Sequence, residues 1–244
     1  MLARRLQAEE LMDDPALPPE TYTAVLHDLA KVNRLTLAYR PTLQFIRRAV
    51  GNRQSFSVLD VGFGDGDMLR RIAMQAKLSG QRARLVGVDL NEKSVAAARE
   101  VTDPEFGIEY HHGDYAAFAG RGAGLPDCGA PFSNRGAAFD CIISSLVAHH
   151  MTHAQLVAFL RFMEAEARAG WFVNDLHRHT FAYLGYPLLA RLMGWHAIVR
   201  QDGQTSIARS YRPAEWEPLL EEAGVANTRI FRAFPFRLCV EKLR

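Results

Sequence analysis

Three carboxylates and two pairs of histidines are the residues of this chain whose types and spacing could do chemistry. Asp60, Asp89 and Asp114 stand in or just after short apolar runs: Val58-Leu-Asp-Val61, Leu85 to Leu90, and Ile108 to His112 with Gly113-Asp114-Tyr115 behind it. Acids at the ends of successive strands would line one edge of a sheet. Such a wall suits a ligand with positive charge. After the first acid comes Gly62-Phe-Gly64-Asp-Gly66, a turn with little side chain in the way, where backbone can approach a ligand closely. His149 and His150 follow the apolar run Phe139 to Leu146, and His177 and His179 follow Gly170 to Leu176. Histidine exchanges its proton near neutrality, so it can take one from a reacting hydroxyl. Neighbours such as His149 and His150 diverge in direction, so one of them at most faces a shared acceptor. His177 and His179 are two apart and share a side if the strand runs on. His149 and His177, nearest their strands, are the two candidate bases.

The elements that must hold these residues are also readable. Ser57 to Val61 is a strand of the kind buried in a parallel sheet, and from Asp67 onward Met68, Leu69, Ile72, Ala73 and Ala76 recur at helical spacing. Ala83 to Leu90, Ile108 to His112, Phe139 to Leu146 and Gly170 to Leu176 read as further strands, with helices over Asn91 to Glu100 and His153 to Arg168 between them. Pro213 to Ala223 reads as a last helix closed by Gly224, its interior Pro218 predicting a kink or a late start. Thr228 to Ala233 and Arg237 to Lys242 read as a hairpin. Residues 1–50 precede the first strand and show helical stripes (Tyr22, Val25, Leu26, Leu29, Val32), the pattern of an N-terminal helical cap. From this cap Tyr39 and Arg40 could reach a ligand, although surface anchoring is the commoner use of such residues. Residues 119–138 and 180–210 read as insertions: a Gly- and Pro-rich mobile loop, and an irregular apolar and aromatic stretch broken by Gly185, Pro187 and Gly194.

The totals narrow the function. The chain has 244 residues, enough for one good-sized domain with a helical cap. A net charge of +2 with scattered arginines argues against nucleic acid as a partner. Cys128, Cys141 and Cys239 lie far apart without metal or redox spacing, as expected of reduced thiols. The first ten residues alternate in charge and lack the apolar run of a signal peptide, and no stretch approaches the roughly 20 apolar residues of a membrane span. The expectation is a cytoplasmic protein with no membrane span; its oligomeric state is open.

The charge of the glycine turn decides between cofactors. A dinucleotide fingerprint wants a glycine at position 67, where this chain has Asp67. A carboxylate there would compete with a pyrophosphate for the same helix N-terminus. A sulfonium that also carries an ammonium group is instead favoured by acidic walls.

Alternating strands and helices that end in a helix and a hairpin, together with Asp60-Val-Gly62-Phe-Gly64-Asp-Gly66, resemble the class I S-adenosylmethionine-dependent methyltransferases. The resemblance runs from about Ser57 to the end and is strongest up to His150. It implies a Rossmann-like α/β fold: a seven-stranded, mostly parallel sheet with helices on both faces and an antiparallel last strand. It also implies S-adenosylmethionine as cofactor, with Asp60, Gly62, Gly64 and Gly66 around its amino-acid part, Asp89 on the ribose and Leu90 beside the adenine. Asp114 and Tyr115 match the family's adenine edge, and Ser145, at the end of the fourth strand, completes the implied cofactor set. Within the class the chain looks most like the small-molecule enzymes similar to those of ubiquinone and menaquinone biosynthesis.

The apolar stretch Phe181 to Leu189 with Trp195 would make a wall for a flat acceptor: a phenol, a quinone-like ring or another aromatic metabolite, as in secondary metabolism. Oxygen methylation is favoured, with carbon methylation of the same acceptors second. A nucleic-acid methyltransferase is less well supported, since Ser144-Ser-Leu-Val147 stands where an Asn/Asp-Pro-Pro-aromatic motif would be. A non-catalytic cofactor-binding subunit is the third alternative. No metal is expected, because the histidines and Asp175 lack ligand spacing on a helix, although Asn174-Asp175 leaves open a magnesium-dependent pattern.

Overall fold

The computed structural model describes residues 2–120 and 139–244. In chain order the elements are α1 (Pro19–Leu35), α2 (Tyr39–Val50), β1 (Ser55–Val61), α3 (Asp67–Leu78), β2 (Arg82–Asp89), α4 (Glu92–Val101), β3 (Glu109–His112) and β4 (Phe139–Ser145). There follow α5 (His153–Glu166), β5 (Ala167–Leu176), α6 (Thr180–Leu192), α7 (Ala197–Arg209), α8 (Pro213–Ala223), β6 (Arg229–Ala233) and β7 (Arg237–Leu243). One seven-stranded sheet runs in the order β3-β2-β1-β4-β5-β7-β6. β1 to β5 are parallel, and β7 lies antiparallel between β5 and β6, with Val173 opposite Val240. This is the Rossmann-like arrangement that the family resemblance implies.

Both faces of the sheet are covered, which is why β1 and β4 read as continuous apolar runs. On one face Leu156, Leu160 and Met163 of α5 and Trp216 of α8 pack on Ile142 and Trp171. On the other, Phe45 and Ile46 of α2, Ile72 of α3 and Ala98 of α4 pack on Val58, Cys141 and Phe172, with Phe45 stacked on Phe172 at 5.0 Å. Cys141 and Cys239 are buried free thiols; Cys128 lies outside the described residues. So does most of the glycine-rich insertion. No described helix is long and apolar enough to cross a membrane.

Two expectations change. The stretch from Thr180 is two packed helices, α6 and α7, rather than irregular chain. Pro187 cannot donate to the carbonyl of Tyr183, one turn back. That carbonyl instead accepts a 3.1 Å hydrogen bond from Gln204 Nε2 of α7. Gly203 of α7 makes room for the Tyr186 ring, on which any Cβ at that position would fall. The last helix starts at Pro213 and runs through Pro218 to Ala223 without a break.

Residues 2–18 form a strap. Arg5 donates to the carbonyls of Arg209 (2.6 Å) and His149 (3.1 Å) and lies over the Tyr211 ring. Leu11 and Met12 donate their backbone N–H to Asp202 Oδ1 and Oδ2, both at 2.9 Å. The strap therefore ties α7 to the loop after β4.

Candidate active site

The sheet order reverses between β1 and β4, and the carboxyl ends of these strands open a crevice where open α/β sheets bind ligands. Val61 pairs with Ser144 there, and the Ser144 hydroxyl donates to the Val61 carbonyl at 2.9 Å. A cavity of about 680 Å³ begins at this point, in the size range of small-molecule sites. Its floor is the glycine turn and strand ends, its far wall α1, α6 and α7, and its side the strap.

The turn is built on left-handed glycines. Gly62 (φ 78°) donates its N–H to the Val88 carbonyl at 2.8 Å, and a Cβ there would run into Val147. Gly66 (φ 75°) caps α3, and its Cβ would run into the Tyr110 ring. The absent side chains are thus required by the close approach of the turn to its neighbours as well as by its backbone angles.

Asp60 is buried beneath this turn, and its Oδ1 has no hydrogen-bond partner. Burial, reinforced by the Asp89 charge, pushes its carboxyl up to about 8. A buried carboxylate oxygen left without a donor fits a cationic N–H donor from a ligand. Asp89 accepts the N–H of Gly64 on Oδ2 (3.0 Å) and of Asn91 on Oδ1 (2.9 Å). Each oxygen keeps a second acceptor site, which is what a ribose diol needs. Burial raises its carboxyl and these two bonds hold it back.

The sequence candidates divide. Asp60, Gly62, Gly64, Asp89, Leu90, Tyr115, Ser145 and His149 line the cavity. Gly66 and Asp114 do not. Gly66 shapes the turn, and the Asp114 side chain is spent capping the next turn through the Ala116 N–H. Leu90 is largely exposed at the rim, Tyr115 packs on Phe159 and Phe162, and the Ser145 hydroxyl is buried without a partner. Asp67 accepts the Tyr39 hydroxyl and pairs with Arg71 at 3.1 Å, so Tyr39 of α2 is a buried part of the wall rather than a surface anchor.

The two candidate bases also separate. His149 is buried on the cavity wall, and Asp175 accepts both its ring Nδ1–H (2.7 Å) and its backbone N–H (2.8 Å). Burial disfavours the imidazolium, but Asp175 and then Glu10 outweigh it and raise its pKa to about 9. His177 is outside the cavity lining: its backbone N–H continues the pairing with the β7 side through the Phe236 carbonyl, and its ring packs on His179. Burial, with His179 and Arg232 adding to it, lowers its pKa to about 4. Asn174, next to Asp175, faces the other side of the strand and donates to the carbonyl of Ala38, just before α2, and to the hydroxyl of Thr42 in α2, tying them to β5.

Glu10, Asp13 and Asp202 also reach the cavity and carry no sequence signal, since the strap has no periodicity and its partners are distant in the chain. The Ser206 hydroxyl lies 2.8 Å from Glu10 Oε1, and Arg209 stands 3.4 Å from the same oxygen.

A parallel sheet with a glycine turn at its switch point and acids facing a cationic ligand defines an α/β enzyme of the nucleoside-cofactor class. Residues 58–170 match the family model described as a methyltransferase domain. The fold agrees with those of solved methyltransferases. A SAM-dependent methyltransferase from Aquifex aeolicus is 19% identical with a TM-score of 0.58, over 92% of this chain and 97% of that one. Human N-acetylserotonin methyltransferase, solved with SAM, is 17% identical with a TM-score of 0.61, over 98% of this chain and 60% of that longer one. Magnesium protoporphyrin IX methyltransferase from Synechocystis, solved with SAH, is 15% identical with a TM-score of 0.52, over 96% and 90%. No curated protein matches the chain. A methyltransferase domain is thus what the match supports over residues 58–170, on a fold shared with solved methyltransferases.

Proposed function

We propose that this enzyme methylates a small, flat, largely apolar acceptor on oxygen, an aromatic, phenolic or quinone-like metabolite. The observation that carries the reading is the shape of the cavity: it runs from the glycine turn to the Asp175–His149 pair beneath apolar walls that include Phe181, Tyr186 and Leu189. When bound, S-adenosylmethionine supplies a methyl group already activated on a sulfonium. The chain has then to align, to exclude water and to take a proton. In this reading Asp60 receives the cofactor's ammonium beside Gly62 and Gly64, Asp89 holds the ribose, and Leu90, Tyr115 and Ser145 border the adenine end. His149, oriented by Asp175 through Nδ1, presents Nε2 to the acceptor hydroxyl. Because Asp175 and Glu10 favour its charged form, it takes that proton only while its ring is neutral, so turnover rises as pH approaches 9. The two solved relatives above that are named for an acceptor, N-acetylserotonin and magnesium protoporphyrin IX, are named for small molecules, in keeping with this class. Methylation at an activated ring carbon would use the same walls and the same histidine.

Turnover of a panel of phenols and hydroxyquinones with methyl-labelled cofactor, followed by locating the label, is the deciding experiment. Label on oxygen is expected; label confined to ring carbon would overturn the oxygen assignment, and no turnover across the panel would overturn the acceptor class. The protein is further proposed to be cytoplasmic and to act without nucleic acid.

A further inference from the structure

We infer that Glu10, His149 and His150 form a binding site for a divalent transition ion such as Zn²⁺, with an open position toward the cavity. His149 Nε2 lies 3.5 Å from Glu10 Oε1, and His150 Nε2 lies 3.7 Å from Glu10 Oε2. Those separations are long for hydrogen bonds. The first matches an edge of a tetrahedral site, about 3.3–3.6 Å for bonds of about 2.0–2.2 Å. The second runs to the other Glu10 oxygen, so a single Glu10 ligand atom requires His150 to move closer. The three ligand atoms fall within 4.8 Å of one another, and His150, the most exposed of the three side chains, can turn to close the remaining edge.

The independent support comes from the far side of each ring. His149 Nδ1 is held by Asp175 at 2.7 Å and His150 Nδ1 by Asp13 at 3.1 Å. Metal-binding histidines are commonly oriented this way, one nitrogen on a carboxylate and the other toward the ion. Here two neighbouring histidines are held so, and both free nitrogens converge on one glutamate. Charge points the same way. Glu10, Asp13, Asp175 and Asp202 crowd the corner, and Arg209, which donates to Glu10 at 3.4 Å and pairs with Asp13 at 3.9 Å, offsets only part of their charge. A doubly charged cation relieves that excess. Imidazole with a carboxylate suits zinc or cobalt better than magnesium or calcium. The site uses the same His149 Nε2 that the proposed function offers to the acceptor hydroxyl, so an ion bound there would take the place of the free base and turn its open position toward that hydroxyl. Binding is tested without cofactor or acceptor, so failure of the site leaves the methyl-transfer reading standing.

The test is titration of the chelator-stripped full chain with Co²⁺ and Zn²⁺, followed by calorimetry and by the visible absorption of tetrahedral Co²⁺. One ion per chain is expected, competed by Zn²⁺. Asp13→Asn should weaken binding by about 10–100-fold, and Glu10→Gln and His150→Ala should abolish the Co²⁺ spectrum, with folding of each variant checked by its thermal melt. Absence of stoichiometric binding by the parent chain overturns the site. So does a Co²⁺ spectrum that survives in folded Glu10→Gln and His150→Ala, or an affinity that Asp13→Asn leaves unchanged.

Discussion

Asp175 grips His149 at two points, accepting the ring Nδ1–H on Oδ1 at 2.7 Å and the backbone N–H on Oδ2 at 2.8 Å. One carboxylate at the end of β5 thereby fixes both the position and the tautomer of a side chain that follows β4. Asp175→Asn keeps the size but offers an amide in place of one acceptor oxygen. Methyl transfer should fall by about 10²–10⁴-fold, the usual share of a positioned base, while the affinity for product cofactor stays the same. An unchanged kcat with the variant folded would remove His149 from the chemistry.

Asp60 predicts a pH dependence of cofactor binding. Its pKa is raised from 3.8 to about 8, by burial first and by Asp89 second, so the unliganded protein holds a proton there at neutral pH. Pairing with the cofactor's ammonium requires the carboxylate. Binding at pH 6–7 should therefore release a proton, and affinity should grow as pH rises toward 8. Stability without cofactor runs the other way. Between about 4 and 8 the folded chain binds more protons than the unfolded one at this group, so this contribution falls as pH rises through that window. Calorimetry in buffers of different ionisation enthalpy measures the proton release, and Asp60→Asn should abolish it.

The three turn glycines should rank in cost when changed to alanine. All three sit at positive φ, which alone costs on the order of 1–3 kcal/mol. At Gly64 the added Cβ would meet only Leu26 at 3.6 Å, ordinary contact, whereas at Gly62 and Gly66 it would strike Val147 and Tyr110. Thermal melts should therefore fall least for Gly64→Ala, at about 2–4 °C per kcal/mol for a chain of this size. A Gly64→Ala variant as unstable as the other two would contradict the packing described for the turn.

What could be read from the chain was local. Val58 to Val61 with its glycines, Asp89 at a strand end and the 3.6-residue stripe of α3 are signals carried within a dozen residues, and the sheet followed from their alternation. What could not be read depends on distant partners. Pro187 and Gly185 look like helix breakers until Gln204 supplies the hydrogen bond that Pro187 cannot. His149 and His177 stand alike after their strands, and only the packed fold puts one on the cavity wall and the other against the Phe236 backbone. Glu10 lies in a segment whose alternating charges have no periodicity, and it reaches the site because α7 holds the strap.

That hold is itself testable. Both oxygens of Asp202 accept strap N–H groups, Leu11 on one and Met12 on the other, and burial raises this carboxyl against the pull of those two bonds. Asp202→Ala leaves the two donors without their partner, at about 1–3 kcal/mol for a buried group so stranded. Opening the strap to water relieves that cost, because residues 2–14 contribute little to the main core. The strap should thus detach while the sheet stays folded. Hydrogen exchange should speed up across Leu6 to Asp13 and remain slow in β1, β4 and β5, and the KM for the acceptor should rise more than that for the cofactor, since Glu10 and Met12 wall the acceptor end. Uniform acceleration of exchange throughout the chain would mean instead that the strap is part of the folding core.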